Sequence, residues 1–232
     1  MTAATQKSVF LRGLRDGSPF LLVAVPFAAL FGVSAMEAGL SLSQAMGFSV
    51  LVIAGASQFA ALQMIVDNAG IALTLLAALA VNLRMAMYSA SLVPYLGAAP
   101  LWKRAVAAYL MFDQSYIASL ARYEAEPAMS VPDRVRYYFG VAMAIAPAWV
   151  VATWAGAVLG ARIPQEAALD FALPITFIAM VAPMLRTLAH VAAALVSVVV
   201  ALALAGLPSG SGLLIAAACA MVAGVLVEER LA

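Results

Sequence analysis

An arginine, an aspartate and a Gly-Ala-Ser-Gln run stand in stretches of this chain that offer them no water. Asn82-Leu83-Arg84 lies in the middle of an apolar run and is followed by Tyr88 and Ser91. A lipid-facing arginine costs at least about 2.5–3.5 kcal/mol, so Arg84 must face protein, water or an anion. Tyr88 and Ser91 follow it at i+4 and i+7, which places the three on one helical face. Asn82 points off that face. The arginine fork suits a carboxylate, either a substrate's or a partner aspartate's. Asp113-Gln114-Ser115-Tyr116, inside another apolar run, offers such an aspartate. Burial would favour the protonated acid, which could exchange a proton near neutral pH, whereas permanent pairing with Arg84 would favour the charged form. The residues leave both alternatives open.

The third cluster is Gly55-Ala56-Ser57-Gln58-Phe59. A glycine followed by two small residues loosens a helix, and unwound backbone at midplane is tolerated only against protein or a cavity. A helix restarting there would aim free N–H groups at a nearby carboxylate. The plainer reading is a close helix crossing, with Ser57 bonded back to its own helix. The candidate substrate-binding residues are therefore Gly55, Ser57, Gln58, Asn82, Arg84, Tyr88 and Tyr116, and Asp113 is the candidate proton carrier. Arg84, or the helix end beside Ser57, would take a carboxylate; Gln58 and Asn82 would take an ammonium. Asp67 and Asp170 fall at segment ends and read as wetted loop carboxylates. His190, near Arg186, reads as a structural histidine at a membrane boundary, and Trp102 and Tyr109 as interface anchors.

The elements that hold these residues must be membrane helices. Hydrophobic residues make up 66% of the 232, charged residues 10%, and mean hydropathy is +1.05. Water-soluble domains are near half apolar and a quarter charged. Roughly 20 apolar residues span a hydrocarbon core of about 30 Å, and such runs recur at about 18–36, 42–66, 70–95, 103–121, 135–160, 168–187, 190–206 and 211–227. This predicts an all-α polytopic membrane protein of seven or eight segments, some discontinuous or re-entrant, forming one transporter domain over 1–232. Lys7, Arg12 and Arg15 precede the first run, and Val33-Ser34-Ala35 has the small residues of a signal cleavage site. The preferred reading is a retained first helix. Lysine and arginine counts then place both termini in the cytoplasm.

A faint echo at an offset of 121 sets Pro26 on Pro147, Gly39 on Gly160 and Gln44 on Gln165. It divides the chain into weakly repeated halves, 18–121 and 135–230, as in many transporters. If every segment crosses, the halves are parallel; if segments 2 and 6 turn back, the halves are inverted. Gly55 to Gln58 in segment 2, and Pro174 and Pro183 in segment 6, favour the inverted arrangement.

A net charge of +1 provides no field for nucleic acid. Cys219 is the sole cysteine, which excludes an intrachain disulfide and argues against a thiolate metal site. No metal or nucleotide motif of the H-E-x-x-H, Walker or G-x-G-x-x-G kind is present, so no cofactor is expected. Ser57 with His190 distantly suggests an intramembrane serine hydrolase, which requires the imidazole within hydrogen-bond reach. A passive assembly subunit is the other rival.

Pro26-Phe27, Gly32, Gly39, Gly55-Ala56-Ser57-Gln58-Phe59-Ala60, Asn82-Leu83-Arg84 with Tyr88, Ser91, Leu92 and Pro94, then Asp113 and Leu169-Asp170-Phe171-Ala172-Leu173-Pro174, together resemble the AzlC family. Ala28 departs from the glycine that often follows Pro-Phe there. Gln114 stands at a variable polar position, leaving Asp113 as the buried acid of segment 4. The resemblance implies the large subunit of a proton-linked exporter of valine, leucine or isoleucine, multi-pass in a bacterial inner membrane. It also implies a small AzlD-type membrane partner.

Overall fold

The computed structural model describes residues 3–160, 185, 187–206 and 211–231, and all regular structure among them is helical. The chain runs through α1 (Ala3–Gly17), a short 3-10 turn (Ser18–Phe20), α2 (Leu21–Glu37), α3 (Leu42–Leu51), α4 (Gly55–Val66), α5 (Ile71–Leu96), α6 (Leu101–Tyr109), α7 (Asp113–Ala125), α8 (Val131–Gly160), α9 (Leu188–Ala203) and α10 (Ser211–Leu231). Among the described residues, three stretches, Ser8–Glu37, Ile71–Leu96 and Val131–Leu159, are long and apolar enough to cross a bilayer. Residues 168–184 of segment 6, with Asp170, Pro174, Pro183 and the Leu169–Pro174 pattern, lie outside the described residues, as do Gln165 and Arg186.

The described residues fall into two compact units, 1–59 with 79–163 and 60–78 with 164–232. In the second, α9 and α10 pack as an antiparallel pair, with Gly212 against Leu204 and Gly224 against Ala193. His190 sits in the first turn of α9, its backbone N–H on the Thr187 hydroxyl. Asp67 follows α4 and accepts from the Gln63 amide at 3.1 Å, the exposed loop carboxylate expected of it.

The first unit is organised by the packing of α1 and α2 along α8. Gly13 meets Tyr137 and Gly140, Gly17 meets Val141 and Ala144, and Gly32 meets Thr153 and Ala157. Numbers rise together on both sides, so the two helices are parallel. Lipid supplies no hydrophobic drive to bring helices together, so close backbone approach through small residues carries the packing. Inverted halves with segment 2 as the one re-entrant piece between them would make α2 and α8 antiparallel. The parallel pairing corrects that preference.

Segment 2 does break, at 52–54, between α3 and α4. α3 returns antiparallel to α2, with Phe48 against Phe31 and the Ser49 hydroxyl 2.7 Å from that of Thr153. After the break the first turn of α4 folds back. The Gln58 amide donates to the Phe48 carbonyl at 3.0 Å, and the Phe59 ring lies against both Phe27 and Phe31.

Segment 4 breaks as well, at 110–112, where no break was expected. Its two halves form a hairpin whose open ends lie together. Val135 beside α6 lines the same small cavity as Leu96 and Lys103, and at the end of α7 the Tyr123 hydroxyl donates to the Arg134 carbonyl. Parallel spans need an odd number of complete crossings between them. Within the first unit, the part of α5 from 79 on runs alongside α7, opposite in direction to α8.

Polar side chains tie α1, α7 and α8 at that open end. Arg12 grips both carboxylate oxygens of Glu126, at 3.1 and 3.0 Å. Arg122 bonds Glu126 at 3.0 Å and Asp16 at 2.6 Å, and the Tyr137 hydroxyl adds 2.7 Å to Asp16. Desolvation pushes the Glu126 carboxyl up, but bonds from Arg122 and Arg12 outweigh it and hold the group below its ordinary 4.5. A depressed carboxyl stabilises the fold above its unfolded value, and that contribution is lost as pH falls through the folded value. Glu126→Gln should therefore melt about 2–4 °C below the unmodified protein at neutral pH. In melting curves taken against pH, the gap should close below about pH 4.

Candidate functional site

The break in segment 4 makes Asp113 the first residue of α7, at the tip of the hairpin. Helix ends leave carbonyls and N–H groups without partners, and this tip satisfies them from a distance. The Tyr138 hydroxyl reaches the Ala107 and Leu110 carbonyls at 2.8 and 3.2 Å, and the Ser115 hydroxyl accepts the Phe112 N–H at 3.1 Å. α5 runs past α7 in the same direction. Arg84, near the middle of α5, places one guanidinium nitrogen 3.1 Å from an Asp113 carboxylate oxygen. Tyr88 donates to the other carboxylate oxygen at 3.1 Å. One turn on, the Tyr88 and Tyr116 rings stack with centroids 4.1 Å apart and planes 9° from parallel. Tyr116 then donates to the Ser91 hydroxyl at 3.1 Å.

Arg84, Tyr88 and Ser91 thus share one face of α5 and meet Asp113 and Tyr116 on α7. The ion-paired alternative for Arg84 and Asp113 is the one formed here. Their side chains keep 30% and 33% exposure. The pair is neither sealed in the interior nor in open solvent, and Arg84 Nε has no partner. A pair held by one guanidinium nitrogen, with a free N–H beside it, can exchange a protein carboxylate for a ligand's.

Gly55, Ser57 and Gln58 form a second group at the tip where α4 begins. A methyl group on Gly55 would overlap the Phe27 ring and crowd Trp149. Close packing of these rings therefore requires glycine there. Ser57 is buried and donates to the Ala54 carbonyl at 3.0 Å, the plainer role considered for it. Its proton is committed to the backbone at the break. Gln58 is fully buried; its amide nitrogen is used, and its carbonyl oxygen has no partner. The Asn82 carbonyl oxygen is likewise buried and unpaired.

Tyr109, which the sequence reading took only as an interface anchor, joins the two groups. The last residue of α6, it donates its hydroxyl to the Val50 carbonyl at the end of α3. Its isolated position at the end of an apolar run carries no periodic signal.

The AzlC family model, whose description is "AzlC protein", matches residues 19–163. All eight candidate residues fall within this match. The chain is 28% identical over 184 residues to the inner membrane protein YgaZ of Escherichia coli (strain K12), covering 75% of this chain and 72% of that one. It is 29% identical over 211 residues to an uncharacterized membrane protein of Archaeoglobus fulgidus, covering 88% of each. No solved structure matches the chain significantly. The family match takes in more than half of the sequence, and both relatives are membrane proteins: this all-helical membrane protein belongs to the AzlC family.

Proposed function

We propose that the chain is the large subunit of a secondary active exporter of branched-chain amino acids, driven by protons and working with a small AzlD-type partner in a bacterial inner membrane. The observation that supports this most is the Arg84–Asp113 pair, part-exposed where the middle of the spanning helix α5 meets the restart of the broken segment at α7. In this reading, the zwitterion enters while Asp113 is ionised and displaces it from the Arg84 guanidinium. The guanidinium then takes the carboxylate of the zwitterion, a pairing its fork geometry favours. The unpaired carbonyl oxygens of Gln58 and Asn82 accept the ammonium. The Asp113 carboxylate, displaced from Arg84, offsets the ammonium. When a proton neutralises it the substrate leaves, so proton and amino acid occupy the site in turn, as export driven by an inward proton flow requires. The choice of valine, leucine or isoleucine rests on the resemblance to the family.

Efflux of radiolabelled valine tests it, measured from cells carrying this chain with and without a small partner subunit. Export against a gradient should require the chain, the partner and a proton gradient together. Efflux that is the same with and without the chain would leave only the passive assembly role.

A further inference from the structure

The two broken segments are copies of one device. α3 and α4 have 10 and 12 residues around a three-residue break, and α6 and α7 have 9 and 13 around another. A serine occupies the third position of each restarting helix. Ser57 bonds the Ala54 carbonyl three residues back at 3.0 Å, and Ser115 bonds the Phe112 carbonyl three residues back at 2.9 Å. Both serines are buried. The devices enter from opposite ends of the first unit, α3 from the C-terminal end of α2 and α6 from the N-terminal end of α8. One carries Gly55 and Gln58, the other Asp113.

We infer that Tyr109 is a positioning residue that couples the two tips, so that a change at Asp113 shifts the start of α4. This rests on the transporter reading above. Tyr109 ends α6, four residues before Asp113, and its hydroxyl holds the Val50 carbonyl, two residues before the α3–α4 break. A carbonyl at a helix end lacks an intrahelical donor, so this bond supplies what α3 cannot supply for itself. Release of Asp113 from Arg84 lets the start of α7 move. The short 110–112 link passes that movement to Tyr109, and Tyr109 passes it to the second break. Substrate-site and proton-site geometry then change in one step.

Tyr109→Phe, in the full chain with its partner, removes the hydroxyl alone. Binding of labelled valine should be retained while proton-driven export falls about tenfold. Para-aminophenylalanine at position 109 restores a donor in the same place and should restore the rate. Hydrogen exchange should show protection lost at residues 52–58 in the phenylalanine variant. Unreduced export, or binding and export falling in proportion, overturns the coupling role. If the unmodified chain moves no valine, the transport reading fails by itself. Hydrogen exchange then decides about Tyr109, and unchanged protection at 52–58 removes it.

Discussion

Asp113→Asn should abolish concentrative export of labelled valine, bringing it to the level of cells without the protein, while valine still binds. Asparagine keeps the shape at the tip of α7 and can still accept from Tyr88, but it carries neither a charge nor an exchangeable proton. Arg84 is then permanently free for a ligand carboxylate, so binding loses its dependence on pH. Arg84→Gln removes the other half. Losing a charge-assisted carboxylate partner of about 2–3 kcal/mol weakens binding by about 30- to 150-fold. It also leaves Asp113 without its ion pair, part-exposed but away from bulk solvent. Equilibrium binding and gradient-driven flux, measured on both variants, separate the roles. Undiminished pH-dependent export by Asp113→Asn removes that residue from coupling. Retained binding in Arg84→Gln, with only the yield of folded protein reduced, makes the pair structural.

The difference between the two breaks shows how far the sequence could be read. At 52–58 the loosening is local: glycine and small residues weaken the helix within the run itself. At 110–112 the residues are Leu110, Met111 and Phe112, none of which breaks a helix. That break is stabilised by Tyr138, 31 residues from Ala107 in sequence, whose hydroxyl takes the carbonyls that α6 leaves open. Ser115 caps the restart locally, but no local pattern contains the part that Tyr138 plays. The Arg84, Tyr88 and Ser91 stripe was legible because α5 is a regular helix, so spacing fixes its face. Its meeting with Asp113 was legible only as one of two alternatives, since pairing between helices follows from packing and not from periodicity. The ties among Arg12, Asp16, Arg122, Glu126 and Tyr137 were hidden for the same reason. Arg12 and Asp16 stand more than 100 residues along the chain from their partners, and only the packing of α1, α7 and α8 brings them together.

The parallel pairing of α2 with α8 carries the second large prediction, in which one chemical change has opposite signs at two glycines. Gly156 faces the Ala29 backbone so closely that an added methyl would overlap the Ala29 carbonyl. The obstacle is backbone and cannot rotate away. Overpacking of this kind costs about 3 kcal/mol or more for Gly156→Ala, and Gly156→Leu should leave no monodisperse folded protein in detergent. Gly47, inside α3, has nothing within 4 Å of the same added methyl among the described residues. A glycine in a helix interior is worse than alanine by about 0.5–1 kcal/mol, so Gly47→Ala should raise the melting temperature. Thermal unfolding of the two alanine variants, followed by intrinsic fluorescence, reads both signs in one experiment. Equal tolerance at the two positions would mean that α2 and α8 do not pack in this register. The parallel arrangement of α2 and α8, and with it the correction of the inverted halves, would then fall.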